Sequence, residues 1–413
     1  MTETQQHNVP VLRFPEFSGE WEEKRLGDFF VFKNGVNADK SQYGSGHKFI
    51  NVLDIIADHP ITSESIIGSV SISDQEFKKN EVVFGDIIFQ RSSETREDVG
   101  QSNIYLDKKQ TATFGGFVIR GRPITKLNSE YFDFLLKTSK ARKDITSRSG
   151  GSTRYNIGQE SLSAVLVDVS TSPHEQQRIA AFLSSVDKKF EWLGRKKNLL
   201  ERYKKGMMQK LFSQQIRFKD DNGNDYPDWN KVRVDAVGDV ITGSTPDTTK
   251  SSYYDGNIPF FSPADIPEHG GKVTYTKKTL TPEGLAKARP VPAKSTLFVC
   301  IGSTIGKVAQ SSRDGVTNQQ INAIVAKNGN IPDFLYYVMV NKAPHIRNLT
   351  AVQAIPIVNK STFAKENIII PHPDEQTKIA NFLSSLDDKI NLIESELNHA
   401  QTIKKGLLQQ MFV

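Results

Sequence analysis

Residues 302–307 read GSTIGK, a glycine-bounded run whose hydroxyls and lysine could wrap a phosphate. The spacing argues otherwise. A nucleotide phosphate loop needs four residues between its glycines and a serine or threonine after the lysine. Here three residues intervene, and Val308 follows the lysine. A turn after a strand is the better reading. The eight histidines are scattered and none forms HExxH, and the single cysteine, Cys300, is too little for a thiolate metal site. There is no GxSxG, no GxGxxG opening a helix after a strand, and no Asn-Pro-Pro-aromatic tetrapeptide. The pair Asp387-Asp388 sits on a helical repeat and reads as a solvated face rather than an acid–base couple. The expectation is a binding protein with no catalytic residue and no metal site.

Two sets of polar loops carry a different chemistry. Residues 90–103 read QRSSETREDVGQSN and offer Arg91, Ser92, Arg96, Gln101 and Asn103. Their counterpart, residues 301–320, offers Ser303, Thr304, Lys307, Asn318, Gln319 and Gln320. Residues 137–156 form a second cluster with Lys137, Lys140, Arg142, Lys143, Arg148 and Arg154. Its counterpart, 341–359, is less basic, with His345, Arg347 and Gln353. Arginine reads guanine, and asparagine or glutamine reads adenine, through paired hydrogen bonds, while lysine and hydroxyl side chains hold phosphates. The bland alternative for each residue is a solvated loop.

Charge supports only a local nucleic-acid face. The chain has 413 residues and a formal net charge of +6. The excess lies in two segments: 173–212 nets +6 and 213–372 nets +4, while 1–172 and 373–413 each net −2. With one cysteine, disulfides are excluded, and Cys300 in LFVCIG reads as a small core residue. No apolar run is long enough to span a bilayer. The start, MTETQQHNVP, lacks the basic and apolar regions of a secretory signal. A cytoplasmic protein is expected.

Something must position those loops, and the sequence says what. EQQRIAAFLSSVDKKF begins at Glu175, and EQTKIANFLSSLDDKI begins 200 residues later at Glu375. Each copy follows a proline, which suits a first helical turn, as does the glutamate. Apolar residues recur at steps of four and three: Ile179, Leu183, Val186, Phe190, Leu193, Leu200, Met207 and Leu211 in the first copy. The second has Ile379, Leu383, Leu386, Ile390, Ile393, Leu397, Ala400, Leu407 and Met411. That is a coiled-coil seam. Lys197 interrupts the first seam, and Lys204 and Lys404 interrupt equivalent places in both. Gly206 and Gly406 predict close packing or a bend. A helix of about forty residues is roughly 60 Å long, too long for one small domain to bury. The two helices are therefore expected to pair with each other, against the alternative that each caps its own domain.

The repeat extends outward. Leu12-Arg13-Phe14 returns as Ile216-Arg217-Phe218, and FINVLDI from Phe49 parallels FFSPADI from Phe260. This gives a first domain at 1–172, a helix at 173–212, a second domain at 213–372 and a helix at 373–413. The fold class is α+β: two mixed α/β domains separated by two long helices pairing as an antiparallel coiled coil, with a pseudo-twofold internal repeat. Strands are expected over 48–55, 82–90, 103–106, 114–120 and 165–169, with a helix over 129–138. In the second domain, strands are expected over 258–262, 295–301, 322–326 and 367–371, and a helix over 332–340.

This order resembles the specificity subunit of type I restriction–modification systems. So do the openings P-x-E-Q-x-x-I-A-x-F-L-S-S-x-D and the closings K-K-G-x-x-Q-x-x-F. The resemblance implies two target-recognition domains, each reading one half of a split, asymmetric site in double-stranded DNA. It implies that the helices set the spacing and dock two modification (methyltransferase) subunits. Two restriction (translocase/nuclease) subunits would complete the assembly. S-adenosylmethionine, ATP and Mg would belong to those partners and not to this chain. The setting implied is bacterial or archaeal cytoplasm, with no membrane. Two rivals stay open at this point: a coiled-coil scaffold for protein partners, and an enzyme of unrecognised type.

Overall fold

A computed structural model describes residues 8–349 and 357–413. Gln353 lies outside the described residues. The chain forms two compact units, one of residues 1–195 with 395–413 and the other of 196–394. Each unit holds one domain, the first half of one long helix and the second half of the other.

In the first unit, a four-stranded antiparallel sheet runs in the order Phe30–Asn34, Val118–Pro123, Ile87–Gln90, Ser102–Ile104. Strand 87–90 is apolar on both faces for a reason. Ile87 and Phe89 pack with Phe32, Ile119 and the helix residues Phe132 and Leu135, while Ile88 joins Ile50, Phe114 and Tyr105 on the opposite side. Alternate side chains of a strand point to opposite faces. A smaller sheet, Ser69–Val70, Tyr43–Ile50, Thr113–Phe114, contains a parallel pairing of Phe49 with Thr113. Glu22–Arg25 pairs antiparallel with Leu166–Val169 just before the long helix.

The second unit repeats the plan. Its main sheet runs Gly238–Thr242, Ile321–Ala326, Thr296–Val299, Val308–Ser311, with Lys272–Val273 added at the edge. The small sheet again has a parallel pairing, Phe260 with Val316. Asn230–Arg233 pairs with Asn367–Ile370 ahead of the second long helix. The two domains therefore share strand order and direction despite divergent sequence.

The long helices span Pro173–Phe212 and Pro373–Gln410 and run antiparallel within each unit. In the first unit, Ile179, Ala180 and Leu183 share a core with Met411 and Phe412. Further along, Asp187 meets Lys404 at 2.6 Å. In the second unit, Ile379, Ala380 and Leu383 share a core with Met208 and Leu211, Asp387 pairs with Lys204, and Glu394 lies 3.3 Å from Lys197. Leu193, Leu386, Ile390 and Ile393 are buried, while Val186, Phe190 and Leu397 are half-buried.

Several sequence expectations change. The three seam lysines do not interrupt the pairing; their long stems reach a carboxylate on the opposite helix. A Cβ at Gly206 or Gly406 would meet nothing within 4 Å, so neither marks close packing, and both helices run on through them. The expected strand 48–55 ends at Ile50, because the Asn51 side chain accepts from Leu53 N and caps a helical turn, Val52–Ile55. The strand expected from 82 starts only at Ile87, after a turn at Gly85 with φ +88°. The strand expected over 114–120 is divided by a turn at 115–117.

Candidate nucleic-acid interface

Each domain is locked to its helix by a buried carboxylate. Glu175 is 1% exposed. It accepts from Arg13 Nε at 2.6 Å and Nη2 at 2.9 Å, from Trp21 Nε1 at 3.2 Å and from Ser170 Oγ at 2.5 Å. Glu375, fully buried, accepts from Arg217 Nε at 3.2 Å and Nη2 at 2.8 Å, and from Trp229 Nε1 at 3.2 Å. The paired glutamate raises the pKa of each arginine. A buried charge persists only when paired and hydrogen-bonded, so the motif fixes the helix start against the domain. In the sequence the two glutamates read only as helix-dipole residues. The recurrence of arginine, tryptophan and glutamate in both halves was the available signal.

The loops stand on this frame. In the first domain the structure brings 91–98 and 139–156 together. Arg96 Nε donates to Thr146 O at 3.1 Å, Arg154 lies 4.0 Å from Glu94, and Ser92 Oγ bonds Asn156 across the pairing of Ser92–Ser93 with Tyr155–Asn156. Arg142 Nη2 donates to Glu97 O at 2.8 Å and Val99 O at 2.7 Å, and burial lowers its pKa. Arg142 thus ties the helix Ser139–Ser147 to the loop. Gln101 Nε2 donates to Asp98 Oδ1 at 2.8 Å. Lys137 pairs with Asp133, Lys140 with Asp168, and Arg148 with Asp144. Arg96, Lys143 and Arg154 are exposed, and Arg91 and Ser92 half-buried. Asn103, offered by the sequence as a reader, is buried and donates to Asp54 O, Ala57 O and His59 O; it holds the framework.

In the second domain, 302–307, 318–320 and Arg347 come together. Gly302 and Gly306 have φ of +97° and +88°, and the run is a turn. A Cβ on Gly306 would lie 3.4 Å from Arg347 Cβ. Ser303 is exposed and Thr304 half-buried. Lys307 pairs with Glu268, which lowers the glutamate's pKa through the hydrogen bond and the charge. Asn318 Oδ1 accepts from Gln320 N at 3.1 Å, and Thr245 Oγ1 lies 2.5 Å from Gln319 Oε1. The backbone of the exposed Arg289 donates to Ser244 Oγ beside this turn, a neighbour that no sequence pattern marked.

The structure also corrects the correspondence between loops. Gly35 N donates to Val118 O, and Gly243 N to Ile321 O; Val36 N donates to Phe114 O, and Ser244 N to Thr317 O. These bonds set the turn 318–320 opposite 115–117, not opposite Gln101 and Asn103. The loop 91–101 matches 300–307 alone.

Among the described residues, no cluster of three or more His, Cys, Asp or Glu could hold a metal ion, and no helix is long and apolar enough to cross a membrane. Comparison with known proteins gives a consistent picture. The family model described as the type I restriction modification DNA specificity domain matches twice, at residues 18–202 and 226–402. The MjaIX specificity subunit of Methanocaldococcus jannaschii is 30% identical over 48% of this chain and 46% of its own length, so this match spans about half of that relative. The putative MjaX specificity subunit of the same organism is 23% identical over 98% of this chain and 95% of its own. A crystal structure of a type I S subunit from M. genitalium covers 98% of this chain and 99% of its own at 14% identity with a TM-score of 0.65, a likeness of fold. With both halves matched by one family model, the chain belongs to the type I restriction modification DNA specificity family and is a specificity subunit with two target-recognition domains.

Proposed function

We propose that each domain reads one half of a bipartite, asymmetric DNA site, and that the paired helices hold the half-sites at a fixed gap and dock two modification subunits. The observation that carries this reading is the duplicated frame with unlike loops. Strand order and the Arg–Trp–Glu lock recur in both halves, while the residues on the loops do not. A common frame carrying different donors and acceptors suits two different words of sequence.

In this reading the chain is not itself catalytic. The modification subunits supply S-adenosylmethionine-dependent methylation of adenine. Two restriction subunits, using ATP and Mg, supply translocation and cleavage. The assembly works in the cytoplasm of a bacterium or archaeon. Arg96, Lys143, Arg154 and Arg347 are suited to phosphates or guanine, and Gln319 to adenine or a water bridge.

Replacing residues 1–172 with the first domain of another specificity subunit tests the proposal. Methylation mapped across a genome should change in one half of the site and keep the other half. A change in both halves, or in neither, would contradict independent reading.

A further inference from the structure

The turn 115–117 carries a residue that the loop comparison leaves unexplained. Phe117 is 63% exposed. A single exposed hydrophobe is ordinary on a protein surface, so exposure alone decides nothing. Position and rigidity do. Val118 N donates to Gly115 O at 2.9 Å, Arg91 N to Phe117 O at 2.9 Å, and Arg91 Nη1 to Gly116 O at 3.2 Å. A Cβ at Gly116 would fall 1.7 Å from Asn37 Oδ1, and one at Gly115 would fall 2.9 Å from the Phe49 ring. A side chain at either place would have to displace Asn37 or the Phe49 ring, so the turn sits close against both. The turn is therefore held on several sides while its one large side chain faces water.

The same turn in the second domain is Asn318-Gln319-Gln320, with Phe117 at the place of Gln320. Asn37 stands against Gly116 as Thr245 stands against Gln319. The turn thus carries amides in one domain, with Gln319 exposed and the Gln320 oxygen accepting from Asn318 Nδ2, and an aromatic ring in the other, in each case close to the polar loops. Amides match the hydrogen-bonding edge of adenine. An aromatic ring offers no such bonds and matches the one apolar feature of the major groove, the thymine 5-methyl group.

We infer that Phe117 is a specificity-determining residue of the first domain, seated against a thymine methyl in its half-site. The inference rests on the proposal that these domains read DNA. It adds which side chain reads and what group it contacts. Phe117 forms no phosphate contact, so its effect is on sequence preference and not on the salt dependence of binding.

The test uses the full-length chain assembled with its modification subunits, on synthetic duplexes carrying its mapped site. Uracil replaces each thymine of the first half-site in turn, which removes only the methyl group. At one position the wild-type assembly should lose about fourfold in affinity, the worth of one buried methyl group. Phe117→Ala should bind the unmodified site more weakly and show no further loss on that uracil. Phe117→Leu, which keeps apolar bulk, should retain part of the discrimination. If uracil affects Phe117→Ala and wild type equally at every position, or if Phe117→Ala leaves preference unchanged, the inference is overturned. A wild-type assembly with no sequence preference would instead sink the reading of DNA by these domains, which separates the two failures.

Discussion

The ammonium of Lys404 lies 2.6 Å from the carboxylate of Asp187, at side chains 27% and 31% exposed. Lys204 and Asp387 make the equivalent pair in the second unit, where Tyr337 Oη also donates to Asp387 at 2.6 Å. These bonds fix register, because a one-residue slip would leave both charges without a partner in a half-buried seam. Lys204→Glu should destabilise the protein by about 1–2 kcal/mol, combining a lost pair and a like-charge contact. Adding Asp387→Lys should recover less than the full amount, since the tyrosine then faces a cation. Urea unfolding of the wild type, both single variants and the double variant gives the coupling. Additive losses would show that the two residues do not act as a pair.

The carboxylates of Glu175 and Glu375 each gather a guanidinium and an indole at the start of a long helix. Glu375→Gln keeps the shape and removes the charge that Arg217 needs. Arg217 is partly exposed and keeps the carbonyls of Tyr226 and Pro227, so the loss should be about 1–3 kcal/mol, the cost of leaving hydrogen-bonding groups unsatisfied. Glu375→Ala should cost at least as much, and Arg217→Lys should cost part of it, because lysine lacks the planar fork. A Glu375→Gln variant within about 0.5 kcal/mol of the wild type in chemical unfolding would show that the carboxylate is not what locks the domain.

Cys300 is buried, receives Nδ2 of Asn322 at 3.1 Å, and has its thiol pKa pushed up to about 12 by burial. At pH 8 it is therefore protonated as well as covered, and only the thiolate reacts. A maleimide or disulfide reagent should leave the native protein unlabelled for as long as it stays folded, and label it fully in denaturant. The rate of labelling should follow the opening of the second domain's sheet. Rapid labelling of the native protein at pH 8 would contradict both the burial and the raised pKa.

The helices were legible because their signal is periodic and repeated. Ile179 and Ile379 mark the same seam position 200 residues apart, and both are buried. The lysines at 197, 204 and 404 were misread because a period shows where a side chain starts and not where a long stem ends. The core strands were legible where continuous apolar runs are buried on both faces, as at Ile87-Ile88-Phe89. Loop residues gave the least. Asn103 and Gln101 are close in sequence, yet one is bonded to three backbone carbonyls inside the domain and the other lines a loop. Composition cannot separate these cases, because backbone path decides which polar group is enclosed. Phe117 is hidden for the opposite reason: an aromatic ring on a glycine turn carries none of the polar groups that mark a base contact in sequence.

Helix length is the remaining physical variable, because both long helices run from one unit into the other, the boundary falling at 195–196 in one and 394–395 in the other. Inserting one heptad at each boundary keeps the seam in phase, since apolar positions recur every seven residues in a coiled coil. It also leaves the pairs Asp187–Lys404 and Lys204–Asp387 within their own units. Seven residues add about 10.5 Å of helix, equivalent to about three base pairs at 3.4 Å each. The half-sites read by such a variant should be unchanged in sequence and separated by about three more base pairs. Methylation mapping on a library of gap lengths would measure this directly. Insertion into only one helix should cost stability, because the opposite seam would then have no partner for the added turns. If the doubly lengthened variant folds, methylates DNA and keeps the original gap, helix length does not set the spacing, and the gap must be determined by the domains themselves.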